Sequence, residues 1–233
     1  RLSIDMALHM HSSHIIRKYF MTEDMLVLKL QKPDGFTFKA GQFVQVQVPD
    51  PEKPVFRAYS ICSTPTDPTL DLCIKIVPGG KASMMFAAAS EGDTISFRGP
   101  LGHFTVPEGI AGAHFIATGA GISPILSMIR ERAASTLPMT LLFGIRSLQD
   151  VCLHEEFLSL QKDYPSLQLT YCLSREPNPP ESWQKPGRVT THLPKILPQE
   201  HVFICGSPEM VKEVRAFYMN QGIDKQQIHL EIF

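Results

Sequence analysis

Thr118-Gly119-Ala120-Gly121-Ile122-Ser123-Pro124 decides the reading of the second half of this chain. The apolar run at 114–118 reads as a strand, and 123–134 reads as a helix. A glycine-rich turn that leaves a strand and opens a helix is the setting of a dinucleotide site, where free backbone N–H groups meet a pyrophosphate. The last position departs from the G-x-G-x-x-G form, because Pro124 stands there. Ser123 is expected to cap the helix, and proline suits its first turn. Downstream the rhythm repeats. Strands are expected at 140–145, 167–173, 201–205 and 228–232, and helices at 153–162 and 208–221. Such alternation implies a parallel sheet with helices on both faces.

Upstream the pattern differs. Strands are expected at 24–30, 43–48, 55–60, 70–77 and 93–98. Val44, Val46 and Val48 share one face against Gln45 and Gln47, the period of a half-buried strand. Turns carry Pro33-Asp34-Gly35, Pro49-Asp50-Pro51 and Pro78-Gly79-Gly80, and one helix interrupts near 82–89. Many short strands at this spacing suggest a small antiparallel barrel. The rhythm changes at 107–112, which places the domains at 15–108 and 109–233.

Composition narrows the function. The chain has 233 residues, 43% of them apolar, and a formal charge of −1. That size fits one large domain or two small ones, and the charge gives no footing for a nucleic-acid partner. No apolar run approaches the ~18 residues of a bilayer-spanning helix. The five cysteines are scattered and never in C-x-x-C spacing. A disulfide framework, a zinc site and a plant-type iron–sulfur cluster are therefore not expected, and the expected location is cytoplasmic. Arg1 at the start suggests a processed or cut chain. His9, His11 and His14 read as part of a frayed terminus and are assigned no metal.

Several motifs carry chemistry. On the strand 55–60, Arg57 and Tyr59 point to one face. An aromatic ring beside a guanidinium suits a flat ring linked to a phosphate. Gly80 and Ser83, in Gly79-Gly80-Lys81-Ala82-Ser83, open the lone helix of the barrel half and offer an anion site. Arg146 and Ser174-Arg175 close two parallel strands, and Arg188 follows in a loop. Ligands bind at such strand ends, and arginines there would pair with an extra phosphate. Cys205, in Ile204-Cys205-Gly206-Ser207-Pro208, has no His-Asp partner pattern that would make it a nucleophile.

Taken together and in this order, Arg57–Ser60, Gly80–Ser83, Gly119–Pro124, Cys205-Gly206 with Met210, and Glu231-Ile232-Phe233 resemble the ferredoxin–NADP reductase family over about residues 20–233. Gly99-Pro100-Leu101-Gly102-His103-Phe104 is similar to that family's closing flavin-domain loop. The resemblance implies a six-stranded antiparallel flavin barrel and an α/β nucleotide-binding domain. It implies FAD, with Tyr59 stacked on the flavin, Arg57, Gly80 and Ser83 at its pyrophosphate, and Ser60 near N5. Thr118, Gly119, Gly121 and Pro124 would hold the nicotinamide nucleotide. Arg146, Ser174 and Arg175 favour NADP(H) over NAD(H). Ser60, Cys205 and Glu231 are the implied catalytic residues, and Phe233 would cover the flavin. The implied activity moves electrons between NAD(P)H and a one-electron carrier, most simply a ferredoxin or flavodoxin. The alternatives are an oxygenase reductase component without its iron–sulfur domain, a free-flavin reductase, and a non-enzymatic flavin-binding electron-transfer subunit.

Overall fold

The computed structural model describes residues 9–133 and 135–232. Strands β1 (Met10–Phe20), β2 (Met25–Gln31), β3 (Phe43–Val48), β4 (Val55–Ser60), β5 (Thr69–Lys75) and β6 (Thr94–Leu101) form one sheet in the order β4-β3-β6-β1-β2-β5. Every pairing in it is antiparallel. The outer strands meet through a bridge between Ile61 and Leu72, so the sheet closes on itself. Helix α1 (Lys81–Ala88) lies between β5 and β6.

The alternation read in β3 is realised: Val44, Val46 and Val48 are at most 1% exposed while the residues between them are half-buried. They fill the barrel with Leu26, Leu28, Leu30, Leu70, Leu72, Phe86 and Phe97. Strand β1 corrects the expectation of a frayed start. His11 lies on Phe97 with ring centroids 5.5 Å apart, and residues 10–14 pair with β6. Only Ser13 and Ile15 of this strand are buried. A period-two apolar pattern is absent, so tertiary pairing makes the strand, not its own composition. Its Lys18 also serves α1, donating to the carbonyls of Ala87 and Ala89 at 2.5 and 2.7 Å. A cation at a helix C-terminus satisfies orphan carbonyls and opposes the dipole.

The second sheet is all parallel. Strands β7 (Gly112–Thr118), β8 (Met139–Ile145), β9 (Leu167–Leu173), β10 (Gln184–Pro186), β11 (Glu200–Gly206) and β12 (Ile228–Ile232) run in the order β10-β9-β8-β7-β11-β12. Helices α2 (Ile122–Arg132), α3 (His154–Asp163) and α4 (Pro208–Asn220) cover it. β7 is buried on both faces, and its one buried polar ring, His114, is bonded to Thr140 and Glu200 at 2.8 and 3.0 Å. α4 starts as its sequence dictates: the Ser207 hydroxyl accepts from the Met210 N–H and Pro208 takes the first helical position. The order reverses beside β7, so chain direction diverges there and leaves a crevice at the carboxyl ends of β7 and β11.

One core crosses between the two sheets. Met25, Cys62, Cys73 and Phe104 from the barrel side pack with Ile122, Ile125, Met128 and Ile129 of α2. No helix among the described residues is long and apolar enough to cross a membrane.

Candidate active site

A cleft of about 930 Å³ opens between the barrel and the parallel sheet, within the ~300–1,000 Å³ usual for small-molecule sites. Arg57, Tyr59 and Ser60 of β4, with Gly80 and Ser83 at the start of α1, line its barrel wall. Thr118 and Gly119 after β7, Arg146 after β8 and Ser174 after β9 line the other. The structure thus brings together nine residues chosen from motifs up to 117 positions apart in sequence, since Arg57 and Ser174 share one cavity. Gly121, Pro124, Arg175, Cys205 and Glu231 are not among the residues lining it. Phe233 lies outside the described residues.

The charges in the cleft divide into paired and unpaired. Lys75 faces Asp24 at 3.6 Å, and Lys81 is bound to Asp50. Arg57 makes one bond, from Nη1 to the Phe56 carbonyl at 3.1 Å. Arg57, Arg146 and Arg188 line the cleft and have no acidic partner among the described residues. Unpaired guanidiniums on both walls fit phosphate groups, which they can hold with two parallel bonds.

The glycines fit the same purpose. Gly119 has φ +54°, and a side chain there would meet only the Lys75 ammonium, at 4.0 Å. Its conformation disfavours other residues, and its backbone lies bare toward the cleft. Gly121 does something else: a Cβ on it would lie 2.1 Å from the Cys205 carbonyl oxygen. It lets the start of α2 touch the end of β11.

Ser123 departs from its expected capping role, and Ser83 is not a cap. Gly121 stands at the N-cap of α2, and Ser123 Oγ donates instead to the Cys73 carbonyl across the domain boundary at 3.2 Å. The Ser83 hydroxyl accepts from the Val77 N–H at 2.9 Å and ties the glycine turn to the helix. Thr118 accepts from the Ser207 N–H at 3.3 Å, which joins the turns after β7 and β11.

Ser60 and Glu231 meet although 171 positions separate them. Ser60 Oγ donates to Glu231 Oε2 at 3.5 Å. Burial raises the Glu231 carboxyl from 4.5 to about 7, against the lowering effect of that hydrogen bond. A carboxyl poised there can hold or release a proton at neutral pH. Cys205 is fully buried, and desolvation followed by the Glu231 carboxylate pushes its thiol far above the ordinary range. It is a packed neutral thiol, not a nucleophile.

Lys75 and the donor face of α2 were not legible as site features. Lys75 ends β5, and nothing local signals that it reaches the Gly119 turn. No group of three or more candidate metal ligands occurs among the described residues.

Glycine turns and unpaired arginines on facing walls, one wall at parallel strand ends and the other on an antiparallel barrel, define an oxidoreductase of the flavin- and nicotinamide-binding class. The comparisons agree. Residues 5–106 match the oxidoreductase FAD-binding domain, and residues 115–216 match the oxidoreductase NAD-binding domain. Ferredoxin–NADP reductase B of Sorangium cellulosum is 34% identical over 221 residues, spanning 88% of this chain and 89% of that protein. The propane 2-monooxygenase reductase component of Rhodococcus jostii is 32% identical over 226 residues, and the match covers 91% of this chain but 60% of that protein. The fold is also that of a ferredoxin NADP⁺ reductase from Neisseria gonorrhoeae solved with bound FAD and NADP, at a TM-score of 0.84 and 22% identity, covering 96% of this chain and 98% of that one. The chain belongs to the ferredoxin–NADP reductase family.

Proposed function

We propose that this chain binds FAD on the barrel wall and NADPH on the facing wall, and passes electrons to a separate one-electron carrier of the ferredoxin or flavodoxin type. The observation that carries this reading is one cleft shared by Arg57, Tyr59 and Ser60 on one side and Thr118, Gly119 and Arg146 on the other. FAD, when bound, would supply the hydride-accepting and single-electron chemistry. The protein supplies alignment and charge. Tyr59 offers an aromatic ring on the cleft wall, braced by Phe86 in a T-shaped contact at 5.1 Å between centroids. Arg57, with the Gly80–Ser83 turn, holds the FAD pyrophosphate. Ser60, on the cleft wall, and Glu231 behind it would hold a proton between Oγ and Oε2. Gly119 and Thr118 receive the nucleotide pyrophosphate, while Gly121 and Pro124 shape the turn that presents it. Cys205 closes the site as packing. In this reading 109–233 is the nucleotide domain, and the FAD domain, expected over 15–108, starts earlier, at Met10, because residues 10–14 of β1 pair with β6.

NADPH is preferred over NADH because Arg146 and Arg188 reach the cleft without acidic partners. Ser174 lines the same region, and Arg175 stands beside it, its N–H bonded to the Arg146 carbonyl at 2.8 Å. The five cysteines are unbonded thiols, which suits a reducing cytoplasm. A second reading, the reductase core of an oxygenase system, is favoured by the 60% span of the propane monooxygenase reductase.

The purified protein should be yellow with one FAD per chain and should reduce ferricyanide with NADPH. A folded, colourless protein that binds neither FAD nor FMN would overturn the reading. Arg146→Ala, Arg175→Ala and Arg188→Ala, compared with both nucleotides, test the preference. A lost charged hydrogen bond costs about 1.5–3 kcal/mol. The arginine that reads the phosphate should therefore lower kcat/KM for NADPH by about ten- to a hundredfold and leave NADH nearly unchanged.

A further inference from the structure

We propose that the polar stripe of α2, Ser123, Ser127 and Arg130, is a positioning device that sets the spacing between the two walls of the cleft; its catalytic consequence rests on the function proposed above. The spacing i, i+4, i+7 puts the three side chains on one helix face. Each donates to a backbone carbonyl of the barrel. Ser123 Oγ reaches Cys73 at 3.2 Å, Ser127 Oγ reaches Ser63 at 2.6 Å, and Arg130 Nη1 reaches Cys62 at 2.7 Å. Both serines are at most 1% exposed.

The accepting carbonyls are tied by short covalent paths to the barrel wall of the cleft. Cys62 and Ser63 follow Ser60 by two and three residues, and Cys73 precedes Lys75 by two. The bridge between Ile61 and Leu72 locks these two segments together. The donating helix begins at the Gly119–Gly121 turn, the other wall. One helix therefore carries the nucleotide turn at its start and, along its side, the bonds to the strand that presents Arg57, Tyr59 and Ser60.

Arg130 is itself held. Its Nε and Nη2 fork onto Glu156 of α3 at 2.5 and 2.8 Å, which leaves Nη1 aimed at Cys62. Only a planar fork can serve both partners at once. Around the stripe the contact is tight and apolar. A side chain on Gly41 of the barrel would lie 2.4 Å from the Met128 methyl of α2 and 1.9 Å from the Phe104 carbonyl oxygen. Apolar contact is non-directional and tolerates sliding. Three hydrogen bonds at fixed intervals do not, because their strength falls steeply with misalignment. The stripe thus fixes register where the apolar contact supplies adhesion.

The test uses FAD-loaded protein with Arg130→Met, Arg130→Lys and Ser127→Ala; neither Arg130 nor Ser127 lines the cleft. Three quantities are measured: kcat with NADPH, affinity for adenosine 2′,5′-bisphosphate, and the distance distribution between spin labels at Glu52→Cys and Lys212→Cys. Both label positions are exposed and the native cysteines are buried, so labelling favours the introduced thiols, and the unsubstituted protein measures any background from Cys73, Cys152 and Cys172 at the cleft. Arg130→Met should lower kcat by about ten- to a hundredfold, the scale on which small misplacements act. Binding of FAD and of the bisphosphate, each confined to one wall, should hold, and the label distribution should broaden. Arg130→Lys should recover part of the loss, and Ser127→Ala should show the same pattern more weakly. Unchanged kcat and label distances in Arg130→Met and Ser127→Ala overturn the proposal. So does a loss of kcat that merely follows lost FAD or bisphosphate binding. If Arg130→Met does not fold, Ser127→Ala decides. If the parent shows no NADPH oxidation, the function has failed, and the label distances still test the device.

Discussion

Arg57 stands on the cleft wall with its guanidinium satisfied only by the neighbouring Phe56 carbonyl. A charge left so exposed to a cavity is available to a ligand. Losing a charged hydrogen bond costs about 1.5–3 kcal/mol. Arg57→Ala should weaken FAD binding by about ten- to a hundredfold, read by equilibrium titration of flavin fluorescence. Thermal stability should barely change, because Arg57 makes no fold-supporting contact beyond that carbonyl. A large drop in melting temperature with normal FAD affinity would assign Arg57 to the fold instead. Cys205 behaves oppositely. Its thiol is sealed in the core cluster that holds Phe203 and Ile122, so its influence on the site passes through packing.

At the scale of elements, β12 carries two titrating side chains with opposed effects. Burial, with His201 second, lowers His229 to about 4. His229 shares a 2.8 Å hydrogen bond with His201 and stacks on Phe203 at 4.5 Å between centroids. Glu231, two residues on, is raised to about 7. The signs follow from linkage. Between pH 4 and 6.5 an unfolded histidine is protonated and the folded His229 is not, so stability rises with pH. Between pH 4.5 and 7 the folded Glu231 holds a proton that the unfolded chain has released, so stability falls with pH. The two slopes oppose one another over their shared window. Removing either slope should unmask the other. Glu231→Gln should melt at temperatures that climb as pH rises from 4 to 6.5. Burial lowers His201 as well, so the double variant His201→Gln/His229→Gln should melt at temperatures that drop from pH 4.5 to 7. Flat melting curves across pH in both variants would show that neither group is shifted by the fold.

For the molecule as a whole, the cleft mixes both signs, with Arg57, Lys75, Lys81, Arg146 and Arg188 lining it beside Asp24, Asp150, Glu209 and Glu213. The formal charge is −1, yet Arg57, Arg146 and Arg188 converge on one cleft without acidic partners among the described residues. Attraction of a phosphorylated nucleotide is then local and open to screening. The Debye length falls from about 30 Å at 0.01 M salt to about 3 Å at 1 M. Raising salt over that range should raise KM for NADPH more than KM for NADH, since only NADPH carries the additional phosphate. Parallel increases for both would mean that the cations serve the shared pyrophosphate and do not discriminate.

What the sequence determined by itself is what depends on neighbours along the chain. Val44, Val46 and Val48 alternate with glutamines, and that strand runs where its period places it. The Gly119–Pro124 turn sits between strand and helix because Gly119 accepts its positive φ and Pro124 suits the first helical turn. The parallel sheet follows from the alternation of such units. The tertiary structure decided everything that rests on distant partners. β1 is a strand because β6 and β2 pair with it, not because Ser13 and Ile15 give it a legible period. Ser123 reads as a cap in isolation, yet a carbonyl 50 positions away offers it a bond that buries both groups. Ser127 and Arg130 read as an ordinary helix flank until the barrel is set against them. Glu231 is a common strand-end carboxylate in the sequence, and its pKa is raised only after folding removes water from it, against the lowering effect of the Ser60 hydroxyl that folding also brings. Local conformational preference is encoded within a few residues. Burial, charge proximity and hydrogen-bond choice are properties of the space that the whole chain encloses.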